Sequence, residues 1–170
     1  IAYKFILKFV NSYKSIIISI FALTIMLSIL IPHPWPRAFL IMSVMAVLIK
    51  SADISKEDSI KIGFTVFAAA VPCSMIFLTG DSTINFLAVQ SSGINISWMQ
   101  WFIYMGPPSI IASSITCILI LILFKPSKEV KINKEEIKEK LYLLGPISGV
   151  EKRTVVWLGI AVVLWLTDSI

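Results

Sequence analysis

Charged residues are scarce in this chain of 170 residues. Asp, Glu, Lys and Arg together make up 15% of the sequence, whereas a typical soluble domain carries roughly a quarter. Hydrophobic residues account for 57%, and the mean hydropathy is +0.88. This composition argues against a soluble globular domain and predicts a membrane protein.

Residues that commonly carry catalysis or bind transition metals are also few. His33 is the only histidine, and both cysteines, Cys73 and Cys117, lie in apolar runs without a CxxC spacing. We therefore expect buried cysteines rather than a disulfide or a metal site. No serine–histidine–acid set, metal-ligand cluster or glycine-rich phosphate loop stands out, so we expect neither an enzyme nor a cofactor.

The net charge of +5 does not indicate a nucleic-acid partner. The lysines and arginines cluster beside apolar segments, a pattern that reflects membrane orientation and contact with lipid headgroups. The expected partner is therefore the lipid bilayer. Because the sequence starts at Ile1 rather than Met and ends at Ile170 after an apolar run, we expect an internal part of a longer protein.

Three prolines interrupt the first apolar run. The segment 32–37, P-H-P-W-P-R, separates an apolar arm of 17 residues at 15–31 from one of 12 residues at 38–49. A helix needs about 20 residues to cross the hydrocarbon core, and these prolines cannot continue a helix. The pattern predicts a re-entrant helical hairpin over 15–49. Two separate spans, with Arg37 outside, are the alternative.

A polar stretch interrupts the next apolar run. Residues 77–85 read F-L-T-G-D-S-T-I-N and separate the apolar segments 62–77 and 84–89. Non-helical backbone survives in lipid only where protein or water buries it, and an intramembrane Asp indicates a functional site. We therefore predict a broken transmembrane helix over 62–89, followed by a complete span over 98–124.

The lysines set the expected orientation. Under the positive-inside rule they place three segments on the cytoplasmic side of the cell membrane, 1–14, 50–61 and 125–153. The uncharged stretch 90–100 suits the outer side, with Trp98 and Trp101 as interface aromatics. The predicted organisation is a multi-pass, all-α protein with a membrane transport unit at 1–124, an amphipathic connector at 125–153 and the start of another span at 154–170.

Oxygen-bearing side chains are concentrated in the polar stretch. Hard cations such as Na⁺ bind carbonyl, hydroxyl, amide and carboxylate oxygens, and glycine permits unusual backbone angles. The predicted cation site consists of Thr79, Gly80, Asp81, Ser82, Thr83 and Asn85, with Na⁺ at Gly80, Asp81, Thr83 and Asn85. An ordinary loop between two short helices at the membrane surface is the alternative.

The proline-rich segment supplies candidates for anion binding. The imidazole of His33 can relay protons, and Arg37 can contact an anion through two parallel hydrogen bonds. The predicted substrate-binding residues are His33, Trp35, Arg37 and Asn85. The alternative is a stiff turn in which Trp35 and Arg37 anchor at an interface.

Two motifs make the chain resemble a known family. The tail at 143–153, L-L-G-P-I-S-G-V-E-K-R, precedes an apolar run ending in W-L-T, and the polar break at 80–85 reads G-D-S-T-I-N. Both are similar to motifs of the divalent anion/sodium symporters, carriers of sulfate, citrate and C4-dicarboxylates. The resemblance implies the N-terminal half of a homodimeric transporter. It also implies that Gly80, Thr83 and Asn85 help bind Na⁺.

The sequence departs from this family at two places. Family hairpins carry a Ser-Asn-Thr tip that contacts Na⁺ and substrate, whereas this chain has Pro32-His33-Pro34, and Asp81 stands where the family usually has a neutral residue. The coupling cation can thus be Na⁺, or a proton carried by Asp81 or His33.

We therefore expect a secondary active transporter, working with the remainder of the same protein. It would couple Na⁺ or H⁺ to symport of a small anion such as a dicarboxylate, citrate or sulfate. The altered tip supports an alternative, a non-transporting membrane module such as an assembly or sensor subunit.

Overall fold

The computed structural model describes residues 10–127, residue 142 and residues 148–167. The predicted all-α class is confirmed in this part of the chain, where every assigned element is helical. Most of the predicted connector at 125–153 and part of the segment 1–14 lie outside the described residues. The elements are α1 (Tyr13–Leu30), α2 (Pro34–Ser51), α3 (Lys56–Ser74), a 3₁₀ turn (Leu78–Asp81), α4 (Ser82–Ser92), α5 (Trp98–Leu123) and α6 (Gly149–Thr167).

Local capping explains where the first two helices begin. Ser12 and Ser15 form a reciprocal capping box at the start of α1. Pro34 occupies the first turn of α2, and the His33 side chain accepts a hydrogen bond from the Trp35 N–H at 3.3 Å. Proline fits this position because the first N–H groups of a helix have no intrahelical partner. The helix therefore begins four residues before the apolar arm predicted from residue 38.

The helix lengths bear on membrane crossing. At 18 residues each, α1 and α2 are both about 27 Å long, close to the roughly 30 Å of a hydrocarbon core. Among the described helices, α1 and α5 are long and apolar enough to cross a membrane by length and composition. Length alone therefore fits both the hairpin and the two-span alternative for α1 and α2.

Helix α3 lies at the centre of the described fold. It packs against α1, α2 and α5, and its small residues Ala69, Ala70 and Cys73 are buried at these contacts. All six described helices, α3 included, also expose large apolar side chains, as expected for surfaces facing lipid or further protein. The core formed by the first three helices includes Ile16, Ile17, Ile20, Ile41, Met45, Leu48, Ile62 and Val66.

A buried carboxylate ties the start of α3 to the chain that follows α5. Asp58 is 1% exposed and accepts hydrogen bonds from the backbone N–H of Ser127 at 3.0 Å, from the Ser127 hydroxyl at 3.2 Å and from the Lys61 ammonium at 3.0 Å. Burial alone would raise the pKa of Asp58, but these bonds outweigh burial and lower it. The start of α3 and the end of α5 thus lie at the same end of the fold.

We predict that Asp58→Asn destabilises the full-length protein at pH 7 by about 1–3 kcal/mol, because a charged acceptor with several donors is lost. A lowered pKa stabilises the fold above the unfolded pKa, near 3.8, and this contribution disappears as pH falls through the folded value. Thermal unfolding should therefore separate the variant from wild type at pH 7, and the difference should shrink as the pH falls below about 3.8.

Asp53→Asn is the matched control for this prediction. Asp53 is exposed and has a positive φ of 47°, a backbone conformation that Asn also tolerates. An equal loss of stability in both variants would contradict a specific role for the Asp58 contacts.

Candidate functional site

The backbone leaves the α-helical path over residues 75–81, between α3 and α4. Residues 74–85, which add the adjoining helix ends, are called the junction below. Pro72 lies in the last turn of α3 and supplies no N–H to that turn. At Gly80, a Cβ would collide with the Ser74 backbone carbonyl oxygen, so only glycine fits this close approach. Because the helical hydrogen-bond pattern stops here, the carbonyl groups at the end of α3 and just after it need hydrogen-bond donors from elsewhere.

Asn85 supplies hydrogen bonds to three of these carbonyls. Its Nδ2 donates to the carbonyl oxygens of Ser74 at 3.1 Å, Phe77 at 3.0 Å and Leu78 at 3.3 Å. The side chain is fully buried. Among the described residues, its Oδ1 has no hydrogen-bond partner. Asn85 thus folds the junction back onto α4 and keeps one free acceptor oxygen.

Arg37 joins the junction to the connection between α1 and α2, residues 31–37, called the tip below. Its Nη1 donates to the carbonyl oxygens of Ile31 and Gly80, both at 3.1 Å, and its Nη2 to that of Ala70 at 3.5 Å. The side chain is 0% exposed. One buried guanidinium therefore holds together the tip, the junction and α3.

Ser82 makes a second link between the same two segments. Its backbone N–H and its hydroxyl both donate to the Pro32 carbonyl oxygen, at 3.1 and 2.8 Å. The structure therefore brings together the two segments that contain the predicted cation-binding and substrate-binding residues. Neither Pro32 nor its carbonyl could be identified from the sequence as the partner of Ser82.

Two tryptophans at the start of α5 complete the junction. The Trp98 indole N–H donates to the Thr79 hydroxyl at 3.1 Å, and that of Trp101 donates to the Met75 carbonyl at 3.0 Å. Phe77 stacks on Trp98 with ring centroids 5.5 Å apart. Both tryptophans are 6% exposed, so their interpretation as interface aromatics missed this contact. The sequence does offer one signal for this contact, because the indole N–H of a buried tryptophan needs a hydrogen-bond acceptor.

The predicted cation ligands face different neighbours. One Asp81 carboxylate oxygen accepts from the Ile84 N–H at 3.3 Å and caps α4, and the Thr79 hydroxyl accepts from Trp98. Thr83 is exposed. A Na⁺ ion at these residues would therefore compete with hydrogen bonds that the Thr79 and Asp81 oxygens already make in the fold.

A cavity of about 420 Å³ opens between the tip and the junction, a volume within the usual range for small-molecule sites. Of the predicted substrate residues, Trp35 lines it, while His33 and Arg37 are not part of its wall. Asp81 is the charged residue of the lining. The wall consists of Pro34, Trp35, Ala38, Phe67, Ala70, Val71, Ser74, Met75, Asp81 and Ile84.

Comparison with known proteins gives consistent results. A family model described as the sodium:sulfate symporter transmembrane region matches residues 1–170. A protein of Cupriavidus necator, described as a membrane protein, is 30% identical over 169 residues. The match covers 94% of this chain and 32% of that relative, so the chain spans about a third of the relative's length.

We predict that Gly80→Ala destabilises the full-length protein by about 1–3 kcal/mol, as forced overpacking usually does. The added methyl group must push away the Ser74 carbonyl, which disturbs the bond from Asn85. Gly159→Ala is the matched control, because a Cβ at Gly159 in α6 meets nothing within 4 Å. Thermal unfolding measures both, and equal stability of the Gly80 variant and wild type would contradict the close approach.

Proposed function

Because the chain belongs to the sodium:sulfate symporter family, we propose that it forms part of a secondary active transporter in the cell membrane. The transporter would couple Na⁺ or H⁺ to the symport of a small anion such as a dicarboxylate, citrate or sulfate. The observation that carries this proposal is the direct bonding of the tip to the junction through Arg37 and Ser82. Two interrupted elements that share a cavity provide a site which the rest of the transporter can cover and expose.

The proposal places this site near the middle of the bilayer. The Cys73 thiol donates to the Ser113 hydroxyl at 3.5 Å, and Ser113 lies near the middle of α5, a helix of 26 residues about 39 Å long. The junction directly follows Cys73. From there it extends toward Trp98 and Trp101 at the start of α5, so the proposed site lies between the middle and the first turn of that helix. We propose a broken transmembrane helix at α3–α4, with α1 and α2 forming a re-entrant hairpin whose tip reaches the same depth.

The hydrogen bonds to the junction carbonyls also support a site inside the bilayer. Unpaired carbonyls are costly in a hydrocarbon core, and those of Ser74, Met75 and Gly80 all accept hydrogen bonds from buried or nearly buried side chains. An ordinary loop at the membrane surface would use water for this purpose. The contacts therefore favour the buried site over the surface-loop alternative.

Two charges of opposite sign suggest how cation and anion are coupled. The Asp81 carboxylate on the cavity wall repels an anion, and this repulsion is strong where water is excluded. A proton or a metal cation bound to Asp81 neutralises the carboxylate and removes this repulsion. The positive charge of Arg37, buried behind the cavity wall, then favours binding of the anion. Each ligand thereby raises the affinity for the other, as linkage requires.

Transport itself would follow from alternating access. In this mechanism the described unit rocks against a scaffold supplied by the remainder of the same transporter. The tip and junction would move as one body, because two side chains bond them directly. A homodimer, implied by the family resemblance, is part of the same proposal.

We predict that Asp81→Asn uncouples or abolishes uptake while leaving membrane insertion intact. Asn caps a helix about as well as Asp, so the variant keeps the bond to the Ile84 N–H and loses the charge. The stimulation of anion uptake by a Na⁺ or H⁺ gradient should fall by at least about fivefold, the lower end of typical coupling between sites. Uptake of labelled dicarboxylate, citrate and sulfate into proteoliposomes measures this.

Asp53→Asn, which removes one carboxylate from an exposed turn, is the matched control for Asp81→Asn. Normal coupled uptake by the Asp81 variant would rule out the proposed role of that carboxylate. If the folded wild-type protein takes up none of the anions under any gradient, the non-transporting module becomes the better explanation.

A second prediction concerns the depth of the tip. In a background carrying Cys73→Ala and Cys117→Ala, a cysteine introduced by His33→Cys should react slowly with a membrane-impermeant maleimide added from outside. A cysteine introduced by Ser92→Cys, in an exposed position at the end of α4, should react fast. Equally fast labelling at both positions would support two complete spans with residues 32–37 outside.

A further inference from the structure

Arg37 is a buried charge whose hydrogen-bond partners are all backbone carbonyls. Burial of a charge is costly unless it is well paired, and an arginine within a membrane segment normally indicates function. It donates to the carbonyl oxygens of Ile31, Gly80 and Ala70, and none of these bonds involves a carboxylate. Within residues 10–127, Asp81 is close enough to attract Arg37 electrostatically but forms no direct ion pair with it.

These partners are chemically those of a bound cation. Carbonyl oxygens are the ligands that hard cations prefer, and here they come from the tip, the junction and α3 at one point. The guanidinium carries a permanent positive charge, so it attracts these carbonyl oxygens as a bound metal ion would. Its donors also fix the directions of these carbonyls.

An additional ion would have to compete with side-chain donors for the junction carbonyls. Those of Ser74, Phe77 and Leu78 already accept hydrogen bonds from Asn85. Among the side chains of the described junction residues, Asn85 Oδ1 is the buried oxygen without a partner. A hard cation gathers roughly six oxygens, so this side-chain oxygen alone does not make a cation site.

We propose that Arg37 is a tethered cation that takes the place of Na⁺ between the tip and the junction, and that this part of the transporter binds no Na⁺ there. The inference rests on the proposed function only where it concerns coupling. A charge fixed to the chain cannot be released with substrate, so the coupling cation acts at another group.

Hydrogen exchange of the purified full-length protein, read by mass spectrometry on peptides covering residues 74–85, tests the tethered charge. In wild type, exchange should be equal in NaCl and in choline chloride at the same ionic strength. In Arg37→Ala it should be about tenfold faster or more in choline, because hydrogen bonds from a charged donor are lost. Na⁺ should reverse part of this increase by binding to the freed carbonyls.

Two further variants serve as controls. Arg37→Lys keeps the charge but lacks the rigid fork of donors, so its exchange should lie between those of wild type and Arg37→Ala. Lys50→Ala removes a positive charge from the exposed last turn of the same helix, away from the junction, and should match wild type. Slower exchange of residues 74–85 in NaCl than in choline for wild type would overturn the proposal, and this comparison needs no variant to fold.

Uptake assays separate this inference from the proposed function. Anion uptake that persists when choline replaces Na⁺ supports the role of Arg37. Uptake that requires Na⁺, together with Na⁺-dependent protection of residues 74–85, contradicts it. If no anion is taken up, the transporter proposal fails, while the exchange data still decide whether Arg37 occupies the cation position.

Discussion

The structure depends on the pairing of backbone carbonyls where α3 stops and α4 begins. An interrupted helix inside a bilayer is stable only when its freed carbonyls receive hydrogen bonds from protein. Asn85, Trp101 and Arg37 provide them from three different elements. This requirement explains why the junction, the tip and the start of α5 meet at one place, and why these side chains are buried.

The same contacts define what the site can do chemically. Arg37 is committed to carbonyls of the fold, so its charge acts on the cavity from behind the wall rather than as a direct ligand. Asp81 lies on that wall and uses one oxygen to cap α4. A fixed positive charge beside a carboxylate that can be neutralised gives a physical basis for linking anion binding to cation binding.

Local signals in the sequence predicted the helical class, the polar break and the interruption at residues 32–37, because proline, glycine and clustered polar residues act on nearby backbone. The resemblance to the divalent anion/sodium symporters, based on residues 80–85 and 143–153, is confirmed by the family match. The bonds from Arg37 to Gly80 and Ala70 and those of the tryptophans could not be predicted, since the partners lie 19 to 43 residues away along the chain. Helix α2 begins at Pro34, before the apolar arm at 38–49, because the first turn of a helix accepts proline.

The central claim is that the Arg37 guanidinium, rather than a sodium ion, joins the tip to the junction at mid-membrane. Cryo-electron microscopy of the full-length protein in lipid nanodiscs containing Na⁺ tests it most directly. The account predicts that the guanidinium lies within hydrogen-bond distance of the Ile31 and Gly80 carbonyl oxygens, near the bilayer midplane. An ion between those carbonyls, with the Arg37 side chain turned away, would contradict it.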